Sequence, residues 1–443
     1  MTARSCQGIL LAAGEGTRMN SSQSKVLHTV AGLPMIDHVL RAMGAAGTDR
    51  VAVVVGPDAD DVGRYVTNEA PGAQLYTQSE RLGTAHAVLA ARKALEEPAD
   101  DVVVLYGDTP LISPETLKRM RAAIGQGADL VVLGFRAVNP TGYGRLVTDG
   151  PNLSAIREER DASASERTID LCNAGAMVFR GDAVIKTLDR VGSNNAKNEF
   201  YLTDSVEIAN ADGKSVVVVE ASEDEARGVN SRAELAAVER LWQQRRRAEA
   251  MAEGVGLVAP ETVYFAYDTM IGRDVLIEPN VVFGPGVIID DGAEINAFSH
   301  ITGAHIHSGA SVGPFARLRP GATIADSARV GNFCEIKNAT IGNGAKVNHL
   351  SYIGDASVGA AANIGAGTIT CNYDGRAKHR TDIGEGSFIG SNSALVAPLK
   401  IGSNAYVASG SVITEDVEDG ALAVARGRQA TKPGWVARFR HRQ

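Results

Sequence analysis

An apolar residue returns at every sixth position from Ile271 through Ile277, Phe283, Ile289, Ile295 and Ile301. After a five-residue step the beat resumes at Ile306, Val312, Leu318, Ile324, Val330 and Ile336. It slips again to Ile341, Val347 and Ile353, then to Val358 and Ile364, and reappears at Ile383, Ile389, Leu395, Ile401, Val407 and Ile413. A repeat of six over so long a stretch is not the pattern of a helix face or of an ordinary half-buried strand. It predicts a parallel β-helix, three short strands to a coil of eighteen residues, with the recurring side chains stacked inside. The interruption between Thr370 and Asp382 is expected to be a loop that leaves the prism.

The first 228 residues read differently. Residues 7–13, 50–55, 101–106 and 129–134 are unbroken apolar runs, as expected of parallel strands covered on both faces. Helical patterns lie between them at 34–46, 84–96 and 113–124, which predicts a three-layer α/β domain of Rossmann-like type. Its ligand should sit at the carboxyl ends of the strands, where Gly14 and the run Tyr106-Gly-Asp108 fall. The stretch Leu11-Ala-Ala-Gly-Glu-Gly-Thr-Arg18 is a strand followed by a glycine loop, the setting in which backbone N–H groups cradle phosphate. It is no Walker loop, since no Lys-Ser or Lys-Thr follows, and it lacks the third glycine of a dinucleotide fingerprint. Residues 229–254 read as one connecting helix, with Ser231 and Glu234 as a capping box and Gly254 as its stop. Such a helix would reach roughly 35 Å. Its run Arg245-Arg-Arg247 is expected to be a solvated face. Residues 255–443 form the β-helix and a C-terminal tail.

A chain of 443 residues is too long for one ordinary core. A net charge of −8 argues against general nucleic-acid binding. Cys6, Cys172, Cys334 and Cys371 are scattered without CxxC spacing, which suits a reducing compartment. No apolar run is long enough for a signal peptide or membrane span, so a cytoplasmic protein without membrane partners is expected.

Gly14-Glu-Gly-Thr-Arg18 with Lys25, Gln78 with Leu82-Gly-Thr84, and Tyr106-Gly-Asp108-Thr-Pro-Leu resemble the sugar nucleotidyltransferases. With the hexapeptide half added, nearly the whole chain resembles the bacterial bifunctional uridylyltransferases and acetyltransferases that make UDP-N-acetylglucosamine, whose β-helix is left-handed. The resemblance implies acetylation of glucosamine-1-phosphate by acetyl-CoA. Transfer of UMP from UTP to N-acetylglucosamine-1-phosphate would follow, with Mg2+ as the metal and a homotrimer as the assembly. In-line attack on a triphosphate needs charge neutralisation, which Arg18 and Lys25 would supply beside Leu11, Gly14 and Gly16. The resemblance gives the uracil to Gln78, Gly83 and Thr84, the metal to Asp108 and Asn230, and the sugar to Gly144, Glu158, Asn173 and Asn230. Ser24 stands where the family usually has proline, and Glu15 adds a negative charge beside the phosphate loop.

In the second half the resemblance makes His349 the base that deprotonates the attacking amine. Arg319, Lys337, Tyr352, Asn363 and Lys378 would hold the sugar phosphate, with Asn372 and Tyr373 in the loop at the site. Ala366, Ser391 and Ser409 would line the coenzyme A groove, with Arg426 and Lys432 near its phosphates. A single-function pyrophosphorylase and a non-catalytic subunit, with the β-helix serving only assembly, remain as alternatives.

Two readings rest on counting. Arg319 and Lys337 lie eighteen residues apart, so they should stack on adjacent rungs roughly 4.8 Å apart and repel unless an anion sits between them. His305 and His307 lie two apart on one strand face and could mimic a metal pair, but no third ligand is evident in the sequence.

Overall fold

The computed structural model describes residues 4–440. It separates into two compact units, which divide between Trp242 and Gln243.

In the first unit a sheet runs in the spatial order Val216–Ala221, Leu130–Arg136, Leu171–Arg180, Asp101–Tyr106, Cys6–Ala12, Arg50–Val55 and Gln74–Thr77. Alternation splits each central strand between two cores. Ile9 and Leu11 face one layer of helices, while Leu10 and Ala12 face the other. The sheet is not wholly parallel as expected, because Leu171–Arg180 runs antiparallel to both neighbours. Its register shifts between Asn173 and Met177, where Gly175 takes φ of +88°. Cys172-Asn-Ala-Gly175 is therefore a bulge inside a strand, and a bulge re-aims the side chains it carries. The helix expected over 84–96 breaks at Ala91 into Thr84–Ala90 and Arg92–Leu95.

The connecting helix spans Arg232–Ala252. Its cap is displaced from the expected box: Ser231 Oγ accepts from the Glu234 N–H at 3.3 Å, but the Glu234 carboxylate accepts from Asn230 N–H at 2.7 Å. The basic run is not a solvated face. Within the second unit, Arg247 donates to the Val263 carbonyl at 3.1 Å, and Arg246 stands 5.7 Å from the Phe265 ring centroid. Buried Gln243 donates to the Phe265 carbonyl at 2.7 Å and accepts from the Phe265 N–H at 2.9 Å.

The β-helix follows the beat. Ile271 pairs with Ile289, Ile277 with Ile295 and Phe283 with Ile301, all in parallel. Each five-residue slip shortens a coil without losing phase, so that Ile289 pairs with Ile306 and Ile301 with Leu318. In the column above Ile336 and Ile353 an aliphatic residue is missing, and fully buried Thr370 takes its place beneath Leu395. Its hydroxyl accepts from Gly354 N–H at 2.8 Å and donates to Gly354 O at 3.0 Å, which satisfies it in the core. The interruption is a loop, as expected, and Val358 pairs with Ile383 across it. Among the described residues no helix is long and apolar enough to cross a membrane.

Candidate active sites

In the first unit a cleft of about 480 Å³ opens at the carboxyl ends of the strands. It brings together Leu11, Gly14, Lys25, Gln78, Gly83, Thr84, Asp108 and Asn230 from widely separated sequence positions. At its centre the largely buried Lys25 ammonium bonds to the Asp108 carboxylate and, at 3.0 Å, to Asn230 Oδ1. The backbone holds this trio in place: Val229 N–H donates to Asp108 O at 2.9 Å, next to the helix cap on Asn230. Two oxygens converging on one cation are donors of the kind a hard divalent ion takes from a protein, and here they hold the ammonium.

The glycines do different work. A Cβ at Gly14 would meet nothing, so the backbone is open to an approaching ligand. Gly16 has φ of +63°, and a Cβ there would lie 2.7 Å from Lys25 Cβ. Its need is to pack against the lysine. Gly83 has φ of +117° and lies against the Phe200 backbone, which accepts from Ala85 N–H at 2.9 Å. Buried Gln78 donates to Gly83 O at 3.1 Å. Arg18 is exposed and lies outside the cleft lining.

Gly144, Glu158 and Asn173 meet as a second cluster. Asn173 N–H donates to Gly144 O at 2.8 Å, and a Cβ at Gly144 would lie 3.5 Å from Glu158 Oε1. Burial pushes the Glu158 carboxyl up. Tyr106 joins the cluster to the cleft: its phenol is pushed up by burial, against the pull of its hydrogen bond to Thr84, with Glu158 near enough to add to the rise. Tyr106, Arg81, Lys197 and Glu199 line the cleft without having been singled out as ligands. Lys197 lies in an irregular segment that carries no motif.

In the second unit His349 is exposed at a corner, and its Nδ1–H donates to Asn332 Oδ1 at 2.7 Å. That bond leaves the Nε2 lone pair free for a proton. Asn332 was not foreseen; it is the register partner of His349 one coil earlier. Backbone bonds carry the column onward: Gly367 N–H donates to His349 O, Asn392 N–H to Ala366 O and Gly410 N–H to Ser391 O. Ala366, Ser391 and Ser409 thus climb on successive rungs from His349. Arg426 and Lys432 are exposed beyond the last strand, Leu422–Ala423.

Across the corner, Tyr352 follows the positive-φ residue Leu350. A Cβ at Gly354 would collide with the Tyr352 hydroxyl, so this glycine lets the ring lie along the strand. Asn372 Nδ2 sits 3.5 Å from that hydroxyl and bonds to Asp355. Tyr373 and Lys378 form an antiparallel bridge that closes the loop. Arg319 and Lys337 do stack on adjacent rungs, as their spacing requires. Arg319 Nη1 is paired with Glu335 Oε1 at 2.9 Å. Lys337 also faces Lys378 and lowers its amine pKa. Asn363 pairs with Lys346 and Phe388, three residues before Ala366, and is not brought to this cluster within one chain.

The description of MobA-like NTP transferase domains matches residues 8–169, and that of bacterial transferase hexapeptide repeats matches 268–303 and 380–415. The bifunctional protein GlmU of Azorhizobium caulinodans is 60% identical over 99% of this chain and 98% of its own length. The chain belongs to the bifunctional GlmU family. GlmU proteins of Agrobacterium fabrum and a Bradyrhizobium species are each 58% identical, over 97% and 98% of their own lengths. Membership makes the chain an N-terminal nucleotidyltransferase joined to a hexapeptide acetyltransferase, acting on small molecules in the synthesis of UDP-N-acetylglucosamine.

Both departures from the GlmU pattern have local answers. Ser24 holds φ at −55°, a value proline would impose, because its N–H and Oγ both donate to Asp61, at 3.0 and 2.6 Å. Burial opposes ionisation of Asp61, but the Ser24 bonds hold its carboxyl below the usual range. Glu15 is exposed and ion-paired with Arg81 at 3.0 Å, while Arg81 Nε donates to Ala13 O at 3.1 Å.

Proposed function

We propose that the two reactions run at these two sites, and that each site is complete in catalytic groups on its own core. The carrying observation is this pairing of a cation-centred oxygen cleft in one unit with an oriented, exposed imidazole in the other. In the cleft a sugar-phosphate oxygen attacks the α-phosphorus of UTP, forming one P–O bond as that to the pyrophosphate oxygen breaks. The open backbone at Gly14 admits the phosphates, and Lys25 neutralises their charge once its ammonium leaves Asp108 and Asn230. Those two oxygens would then hold Mg2+, which supplies further charge neutralisation when bound. Gln78, Gly83 and Thr84 face the uracil, and Gly144, Glu158 and Asn173 the acetylated sugar. Arg18, exposed on its turn, closes over the phosphates.

At the second site His349 Nε2 takes a proton from the sugar amine as nitrogen attacks the thioester carbonyl, and the coenzyme A thiolate leaves. Asn332 fixes the ring for that transfer. Arg319, Lys337 and Lys378 receive the sugar phosphate, Tyr352, Asn372 and Tyr373 the sugar, and the column Ala366, Ser391, Ser409 the coenzyme. Arg426 and Lys432 reach the coenzyme phosphates from the tail, and Asn363 serves from a second chain. Phe298, Phe315 and Phe333 support a homotrimer, since they form an exposed stacked ladder with centroids 4.9 and 5.1 Å apart. Four free cysteines fit a cytoplasmic setting. Glucosamine-1-phosphate, acetyl-CoA, UTP and Mg2+ together should release free thiol and pyrophosphate in equal amounts. Pyrophosphate release that ignores omission of acetyl-CoA would refute the order of the two steps, and sedimentation at a monomer's mass the assembly.

A further inference from the structure

Away from both sites, the β-helix brings three metal-ligand side chains to one point. His305, on the strand Ala304–Ile306, has Nε2 at 3.1 and 3.0 Å from the two Asp290 oxygens. His307 Nδ1 lies 3.1 Å from Asp290 Oδ2. One coil separates the histidines from the aspartate, and the rungs are locked by Asp290 N–H donating to Ile306 O at 2.8 Å. The third ligand that the linear sequence hides is therefore fixed by register, seventeen residues before His307.

The surroundings favour a cation over a simple polar cluster. Among the described residues Asp290 has no arginine or lysine partner; its only side-chain partners are the two imidazoles. The rings stack with centroids 3.9 Å apart, and each turns a ring nitrogen to the same carboxylate. A single shared divalent ion could take one ligand atom from each of the three side chains. All three side chains are about one-third exposed, which leaves a route for an ion. Two imidazole nitrogens and a carboxylate oxygen with an open position suit zinc and its first-row neighbours, not Mg2+.

We propose that Asp290, His305 and His307 form a binding site for a zinc-type divalent metal, a clip that joins two successive coils. The intact enzyme, stripped with a chelator and held in saturating Mg2+, is titrated with Co2+ as a visible probe and with Zn2+ by calorimetry. One equivalent per chain is expected, with visible cobalt absorption typical of low coordination number. Asp290→Asn should weaken binding at least about tenfold, the loss that even an outer-shell partner brings. The double variant His305→Ala/His307→Ala should lose the equivalent while keeping both transferase activities. Zn2+ should raise the melting temperature of the wild type and not that of the double variant. Equal stoichiometry and spectra in wild type and double variant, or no bound equivalent in either, would overturn the proposal.

Discussion

The two units build their sites by opposite routes. In the first, Leu11, Lys25, Gln78, Asp108 and Asn230 converge only because crossover connections return each strand end to one edge of a sheet. In the second, Asn332, His349, Ala366 and Ser391 converge because each is one coil from the next. Topology assembles the one and arithmetic the other. A site assembled by topology draws its groups from unrelated stretches of sequence, whereas in a column each group is placed by the register of the coil beside it.

The contrast can be broken at its strongest point first. His349→Ala should slow acetyl transfer by about 10²–10⁴-fold while sparing uridylyl transfer to supplied N-acetylglucosamine-1-phosphate. Steady-state thiol release within a factor of about two of wild type would remove the imidazole from the mechanism. Asp108→Ala should cut pyrophosphate release by about 10²–10³-fold and leave thiol release intact. Loss of both activities in a folded variant would mean that the units are not independent.

Arg319→Ala and Lys337→Ala should each raise KM for glucosamine-1-phosphate by about 10–100-fold, as for a charge-assisted hydrogen bond, with KM for acetyl-CoA unmoved. Their melting temperatures should part company. Lys337→Ala relieves Lys378 and should hold or rise slightly, whereas Arg319→Ala strips Glu335 of a partner and should fall. Equal shifts would void the pairing.

Smaller effects sharpen the local picture. Asp61→Ala should raise KM for UTP severalfold, and Ser24→Pro added to it should restore the value, because proline sets the φ that Asp61 now enforces. The proline should add about 0.4–1 kcal/mol of stability, measured by urea unfolding. Weakest of all is acid opening of the loop. Bonds from Ala377 N–H, His379 and Arg376 N–H hold the Asp374 carboxyl below its usual range. A depressed folded-state pKa gives stability that is full above the unfolded value and lost as pH falls toward the folded one. Tyr373 fluorescence should therefore stay constant down to about pH 4 and change only below it.

Periodicity made the β-helix legible almost to the residue, and with it the stacking of Arg319 on Lys337. It could not show that Glu335, also outward, would claim Arg319 first, since side-chain choice among neighbours is decided by reach and not by phase. Asn332 and Asp290 were readable in principle, each seventeen residues from a histidine, once the short coils were counted as coils. The α/β half was legible as strands and helices. The antiparallel strand Leu171–Arg180 was hidden, because an apolar run buried on both faces carries no mark of direction. Arg245-Arg-Arg247 misled for a related reason: long basic side chains can lie along a surface and reach carbonyls while looking solvated in a sequence.

The loop after Cys371 leaves its coil and rejoins it in phase, so that Val358 still meets Ile383 and Ile364 still meets Ile389. Each coil above it is therefore indifferent to what the excursion contains. Tyr373 and Lys378 ride on a segment whose length and wording the scaffold does not audit, while Asn372 at its root stays tied to Asp355. Under the roles proposed for these residues, substrate preference at this corner can drift, by insertion or replacement within the loop, without the fold having to be solved again.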